Sequence, residues 1–337
     1  MNRSHHKKMR LEQVMAKIQR HIDALAKLAV LRKKLLLFLL AFTMPTHPPE
    51  AYAGDNRFGV DTHFQQGWST SLIPSIKALG VGWIRDDYQG TFTGNTWNNF
   101  YATFTPAPWI VSANKAGLKV ALILSYFTSN TVVEQYAVAM ARSGYVQAIE
   151  MVNEPNNVPI FAPPSQGGSD ANLQRLVTLT NDVAQAVHEY VGLNICQVIG
   201  LDEQGSEIIY MLGLKPVISG LVYHPYYQTL NDPGSVYEPP YFSYAAWINA
   251  VRAATKLPLW ETEWGWRGSP TDTSNTEAEQ TSRILARLAL TQSLRIEHTF
   301  IYEFKDNGTE TFGLCDNAGN PKPAYYAVQN FIATLPK

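Results

Sequence analysis

Two glutamates stand where apolar runs end, in settings suited to paired-carboxylate chemistry. Glu154 lies in Asn153-Glu154-Pro155 after Ala148-Ile149-Glu150-Met151-Val152, and Glu263 lies in Leu259-Trp260-Glu261-Thr262-Glu263-Trp264-Gly265-Trp266. One carboxylic acid of such a pair can protonate a leaving oxygen, while a second, ionised, supports or attacks the electron-poor carbon left behind. Other apolar runs end in polar residues too: His63, Arg85-Asp86-Asp87, His224-Pro225-Tyr226 and Tyr302-Glu303. Arg85 and the Tyr226 hydroxyl are donors able to keep one carboxylate charged, and a less compensated Glu154 facing that charge would hold its proton.

Such residues act together only if a scaffold gathers their strand ends. Eight short apolar, β-branched or aromatic runs predict strands: Arg57 to His63, Val81 to Asp87, Lys119 to Tyr126, Gln147 to Asn153, Ile195 to Leu201, Gly220 to Tyr226, Leu259 to Trp264 and Thr299 to Lys305. Between them, helical patterns run from Asn130 to Ala141, Asn172 to Tyr190, Tyr244 to Thr255 and Thr276 to Ser293, with a closing helix from Ala324 to Ile332. Alternating strands and helices build a parallel sheet, either open and doubly wound or closed into a barrel. The count of eight, the lack of a G-x-G-x-x-G turn after the first strand, and the polar residues at strand ends favour the α/β class and a (β/α)8 TIM barrel. No repeat or linker interrupts residues 54–337, which read as one catalytic domain after a 1–53 extension.

These motifs resemble clan A glycoside hydrolases, families 5 and 39 in particular, cellulase-like or xylosidase-like. In that clan an Asn-Glu-Pro motif on the fourth strand supplies the acid/base, and a Thr-Glu-x-Gly setting on the seventh supplies the nucleophile. Gly82-Trp83-Ile84-Arg85 resembles the second-strand motif whose Arg orients the nucleophile, and Tyr223-His224-Pro225-Tyr226 resembles the sixth-strand His-x-Tyr. The tail, Phe312-Gly313-Leu314 with Pro321-Lys322-Pro323-Ala324-Tyr325-Tyr326, is similar to the closing loop and last helix of those families. The resemblance implies a retaining β-glycosidase with Glu154 as acid/base and Glu263 as nucleophile, about 5 Å apart across an oxocarbenium-like transition state. It implies that Asn153 donates to the sugar 2-hydroxyl. Two departures bear on the substrate: Tyr302 stands where many members have Trp, and Ser125-Tyr126 replaces a His after the third strand. A catalytically silent glycan-binding barrel and a transglycosylase are the alternatives.

Several residues have two readings. His224 either positions the acid/base or a hydroxyl, or is a satisfied structural histidine, and His63 divides the same way. Trp264 and Trp266 are sugar-stacking walls or packing. Glu150 and Glu261 share strand parity with the proposed pair, so they are expected inside the barrel below the site as structural carboxylates, with Arg85 as partner for Glu150. Asp86, Asp87 and Asp202 read as loop or cap residues, and Glu303 is expected to face away from Tyr302. Two Pro- and aromatic-rich stretches, Pro155 to Gly168 and Gln228 to Tyr241, read as subsite walls.

Composition agrees with a packed enzyme: 337 residues, 45% hydrophobic and 16% charged, with 8 Trp and 17 Tyr. Residues 1–34 hold ten Lys and Arg against Glu12 and Asp23, so the rest of the chain is net acidic at an overall charge of −1. That balance argues against nucleic acid as a partner and leaves a carbohydrate as the expected one. The basic stretch leads into Leu35-Leu36-Leu37-Phe38-Leu39-Leu40-Ala41-Phe42 and then Ala51-Tyr52-Ala53, the order of an export signal cleaved after Ala53. A secreted or periplasmic enzyme is expected, with a membrane anchor through residues 35–44 as the alternative and a monomer as the default. No metal or organic cofactor is expected, since H-E-x-x-H, Cys clusters and phosphate loops are all missing. Cys196 and Cys315 are expected at opposite barrel ends, too far apart to bridge.

Overall fold

The computed structural model describes residues 57–93, 102–125, 129–155, 169–192, 195–200, 213, 217–226, 244–272 and 275–335, all within the unit Pro49–Lys337. The export signal, Tyr126, Asp202, residues 156–168 and residues 228–241 lie outside the described residues. Eight strands run parallel: β1 (Phe58–Asp61), β2 (Trp83–Asp87), β5 (Lys119–Leu124), β6 (Ala148–Met151), β7 (Gln197–Gly200), β8 (Gly220–Tyr223), β9 (Leu259–Trp264) and β10 (His298–Ile301). They close in the order β1-β10-β9-β8-β7-β6-β5-β2, with β2 pairing back onto β1. All eight predicted runs are therefore barrel strands. Most are four residues long, shorter than the predicted runs, while β1, β2 and β9 run on into polar residues at the mouth, Asp61, Arg85 to Asp87 and Glu263.

Seven helices are described: α1 (Ile73–Leu79), α2 (Pro108–Lys115), α3 (Asn130–Arg142), α4 (Asp170–Tyr190), α5 (Tyr244–Thr255), α6 (Glu277–Ser293) and α7 (Pro323–Ala333). Their starts follow local chemistry. Ser129, Ser169 and Thr276 each accept a backbone N–H from three residues onward, so α3, α4 and α6 begin just after a side-chain cap. The sequence did not predict α1 or α2, nor the antiparallel hairpin β3 (Gly90–Thr93) with β4 (Thr103–Pro106) that sits between β2 and α2.

Below the mouth the barrel is filled by Trp83, Ala121, Ala148, Ile199, Val222, Trp260 and Phe300, large rings from three strands facing small side chains from the others. Gly59 and Gly220 make room for those rings: a Cβ on Gly59 would run into Phe300, and one on Gly220 would lie 2.6 Å from Trp260 Cδ1. Gly220→Ala should therefore overpack the interior and cost about 1–3 kcal/mol, read as a lower midpoint in thermal unfolding.

Candidate active site

Arg85 organises the mouth. It follows Trp83 by two residues on β2, so its side chain rises on the interior side directly above that ring. Buried, it donates from Nε and Nη2 to both oxygens of Glu150 (2.7 and 2.8 Å). Its Nη1 is shared between Asp61 Oδ1 (2.8 Å) and Glu263 Oε2 (3.0 Å), and Nη2 also reaches Asn153 Oδ1 (2.6 Å). A guanidinium has only donors, so the atom of Asn153 that meets it is the oxygen, and the amide N–H groups point elsewhere. One cation thus serves three carboxyls. Burial works against an ionised Glu150, yet the bidentate guanidinium overrides it and holds that carboxyl down at about 2. At Asp61 burial wins over Arg85, and the negative charge of Glu263 adds to it, so the Asp61 carboxyl is held well above the usual carboxylate range.

Glu263 reaches the mouth through a β-bulge. Thr299 and Ile301 of β10, two residues apart, pair with Glu261 and Trp264 of β9, three apart. The extra residue breaks strand alternation, so Thr262 and Glu263 both face inward and Glu261 and Trp264 both face the helices. The parity expected for Glu261 is thereby corrected: it lies outside the barrel, hydrogen-bonded by Arg287 (2.7 Å), Thr299 (3.1 Å) and the Tyr244 hydroxyl. Trp264 likewise leaves the site. Only 2% exposed, it donates Nε1–H to Thr299 Oγ1 at 2.6 Å, so it is core packing rather than a sugar wall. Glu263 itself receives a donor on each oxygen, Arg85 on Oε2 and the Tyr226 hydroxyl on Oε1 at 2.5 Å. Burial, reinforced by that carboxylate, pushes the Tyr226 phenol well above its ordinary value and keeps it a donor.

Glu154 is presented by the turn after β6. Val152 and Glu154 both have positive φ, 60° and 42°, a region that non-glycine residues occupy only where surroundings impose it. Its side chain is 32% exposed against 12% for Glu263. Buried His224 bridges the two, with Nδ1 3.7 Å from Glu154 Oε1 and 3.8 Å from Glu263 Oε2, and Nε2 3.0 Å from Thr262 Oγ1. One atom from each of Glu154, His224 and Glu263 falls within 4.8 Å of the others. These three side chains also form the one candidate metal-ligand set among the described residues.

The closed parallel barrel has counterparts in solved structures. A family 39 glycoside hydrolase from the gut symbiont Bacteroides cellulosilyticus WH2 is 20% identical with a TM-score of 0.62, over 86% of this chain and 66% of that one. The GH39 enzyme from Xanthomonas axonopodis pv. citri is 17% identical with a TM-score of 0.56, over 84% of this chain and 68% of that one. An endo-β-1,4-mannanase from Thermotoga petrophila is 10% identical with a TM-score of 0.54, over 83% of this chain and 77% of that one. The chain shares its fold with clan A glycoside hydrolases. It spans about two thirds of the length of the Bacteroides structure, and half of a β-D-glucuronidase from Dictyoglomus thermophilum that it also matches. No protein-family model and no curated protein sequence matches it.

The remaining predicted residues sort around this centre. His63 Nε2 is 2.9 Å from Glu303, and its ring lies edge-on to Trp68 and Tyr302 at 5.2 and 5.7 Å. Burial alone would lower its pKa, but the Glu303 carboxylate overrides that and raises it. Because β10 stops at Ile301, strand alternation does not separate Tyr302 from Glu303, and both turn toward His63. That replaces the opposed orientation expected from a regular strand. Tyr302 also meets Tyr226 and Phe312 edge-on, at 5.9 and 5.6 Å, so it lines the mouth beside Glu263. Trp266 is half-buried, with the Arg283 guanidinium 5.1 Å over its ring. The loops carrying Trp266 and Phe312 are tied together by Gln280, whose amide donates to Trp266 and Phe312 carbonyls, and by Lys322, which bonds Asp306 at 2.7 Å and Gly268 at 3.0 Å. Removing the Lys322 ammonium strands a buried Asp306, so Lys322→Met should destabilise the fold by about 3–5 kcal/mol, measurable by urea titration.

Asp61, Thr262 and the role of Glu303 escaped the sequence reading. Asp61 ends its run just as Arg85 and His224 do, and the signal was present in Phe58-Gly59-Val60-Asp61. Drawing that strand through to His63 hid it. Asp86 and Asp87 end β2 instead of occupying a loop. Asp86 is a pin between β1 and β2, accepting from Thr62 Oγ1 (2.8 Å) and the Phe64 amide (2.7 Å). Cys196 and Cys315 are both buried and unbridged. No described helix is long and apolar enough to cross a membrane.

Proposed function

We propose that this chain is a retaining β-glycosidase that cleaves O-glycosidic bonds by double displacement, with Glu263 as nucleophile and Glu154 as acid/base. The observation that carries the reading is the meeting of these two side chains from β9 and the end of β6, with one oxygen of each no more than 4.8 Å apart. That spacing suits direct attack, for which carboxyl groups about 5–5.5 Å apart are required, and leaves too little room for the intervening water of an inverting pair at about 6.5–9.5 Å. The unequal surroundings support this division of roles. Glu263, doubly hydrogen-bonded by Arg85 and Tyr226, is favoured as the carboxylate, and the more open Glu154 is the group that can meet both a leaving oxygen and an incoming water.

In the first step Glu263 attacks the anomeric carbon while Glu154 passes its proton to the departing oxygen, giving a covalent glycosyl-enzyme. Esterification removes the negative charge of Glu263, so Glu154 then gives up its proton more readily and acts as base toward water. His224, held by Thr262 and reaching both carboxyls, keeps the pair in register, and Asn153, its oxygen fixed by Arg85, turns its amide donors toward the sugar. Tyr302 lines the site where the resemblance has Trp, and His63 sets its position. The ordered basic, apolar and Ala51-Tyr52-Ala53 segments support export with cleavage after Ala53. The test is turnover of β-linked polysaccharides and aryl β-glycosides by the full chain beside Glu154→Gln and Glu263→Ala. Turnover lost in both variants is expected. Turnover of any glycan that survives Glu263→Ala at wild-type rate would overturn the assignment.

A further inference from the structure

A second acid in the mouth is not used by this chemistry. Asp87 follows Arg85 by two residues on β2, so its side chain rises on the same interior side, one step closer to solvent. It lines a cleft of about 390 Å³ together with Gln65, Tyr88, Gln89, Gly90 and Ser125, at the ends of β1, β2 and β5. That volume falls within the roughly 300–1,000 Å³ of small-molecule sites. Asp87 stands two residues beyond Arg85, whose Nη1 bonds Glu263, so the cleft lies on the Arg85 side of the mouth.

We propose that this cleft is a subsite for a neutral sugar unit of the substrate, with Asp87 accepting hydrogen bonds from its hydroxyls, and that it excludes a uronate. The inference rests on the glycosidase reading and names the class of sugar that the site takes.

Three observations lead there. Among the described residues, none hydrogen-bonds the Asp87 carboxylate, although Asp87 is half-buried. Burial raises its pKa, moderated by Arg85, so donors supplied by a ligand would restore what desolvation removes. Next, the rest of the lining offers the complementary groups. Trp109 Nε1 donates to Gln89 Oε1 at 2.8 Å, which turns the Gln89 amide nitrogen away as a donor, and Gln65 and Ser125 add an exposed amide and hydroxyl. An acceptor-only carboxylate beside amide and hydroxyl groups matches a polyol, whose hydroxyls both donate and accept.

Finally, among the described residues no uncommitted cation lines this cleft. The segments that follow β1, β2, β5 and β6, residues 62–72, 88–107, 125–129 and 152–169, carry neither Lys nor Arg. Arg85 is committed to Glu150, Asp61, Glu263 and Asn153, and His63 to Glu303. Lys305, from the connection after β10, lies 4.8 Å over Trp68 of the segment after β1, but its ammonium donates to the Asp306 and Asn317 carbonyls, and Arg267 lies over Phe312. A uronate in the cleft would face Asp87 without a partner.

Asp87→Asn keeps the shape and removes the charge. The full chain and this variant, matched by thermal unfolding, are compared on neutral β-glucan, xylan and mannan and on a polyuronate. Wild type should turn over at least one neutral glycan in preference to the polyuronate, and Asp87→Asn should lower kcat/KM on it roughly 10- to 100-fold, the scale of lost charge-assisted hydrogen bonds, mainly through KM. Equal kcat/KM in the two proteins, or a wild-type preference for the polyuronate, would overturn the subsite. Calorimetric titration with oligosaccharides of the same glycans separates this from failure of the glycosidase reading. Binding by wild type that weakens in Asp87→Asn upholds the subsite even without turnover, and no binding of any neutral oligosaccharide overturns it.

Discussion

Glu263→Ala should lower kcat/KM on every cleavable glycan on the order of 10⁴-fold or more, the scale on which removing a covalent nucleophile disables an enzyme. The effect is large because nothing nearby can replace it. Glu150 is held by both arms of Arg85, Asp61 shares the remaining nitrogen from the far side, and Glu261 is turned out to the helices by the bulge in β9. Glu154→Gln should behave differently, and the difference identifies its role. A general acid contributes about 10²–10⁴-fold when the leaving oxygen needs its proton. Polysaccharide hydrolysis should therefore fall by that much, while the first step on an aryl glycoside with an acidic phenol should be nearly unaffected. Values of kcat/KM on both substrate types, which report the first step, check this, while kcat on the aryl glycoside falls because Glu154 is also the base of the second step. Equal losses of kcat/KM on the two would remove Glu154 from the acid role.

Arg85→Met carries the second large effect, because it acts on stability and activity at once. Among the described residues the guanidinium is the one Lys or Arg side chain bonded to Glu150, Asp61 and Glu263, and it is buried with two of them. Leaving buried carboxylates without a partner costs about 3–5 kcal/mol, so the urea midpoint should fall steeply and the loss should be smaller at acid pH, where the carboxyls can accept protons. Arg85→Lys should rescue only part. An ammonium is a point charge that cannot reach Glu150 bidentately and still span Asp61, Glu263 and Asn153. A fully stable Arg85→Lys protein with wild-type turnover would mean that charge alone, and not the fork geometry, organises the mouth.

The barrel was legible because each strand is buried on both faces and reads as a short apolar run, and because helix caps such as Ser129 and Thr276 punctuate the crossovers. The two glutamates, Arg85, His224 and Tyr226 were legible for a related reason: a polar side chain ending an apolar run has been placed at the mouth. Glu261 was misplaced because strict alternation was carried through residues 259–264, and a single inserted residue reverses the face of everything beyond it. Glu303 was misplaced because its strand ends at Ile301, four residues before the predicted end at Lys305. The β3–β4 hairpin left no clear trace, since its residues Gly90 to Thr93 and Thr103 to Pro106 pair only with each other and are half exposed. Asp61 meets Arg85 through the register of the consecutive strands β1 and β2, whereas His63 and Glu303, far apart in sequence, meet because barrel closure pairs β1 with β10.

The most direct test of the two-glutamate double displacement is the anomeric configuration of the first product formed from a substrate that the full chain cleaves, followed by proton NMR before mutarotation intervenes. A β-configured product released ahead of the α-anomer is the predicted result. An α-configured product formed first would mean single displacement by water and would contradict the assignment of Glu263 as nucleophile.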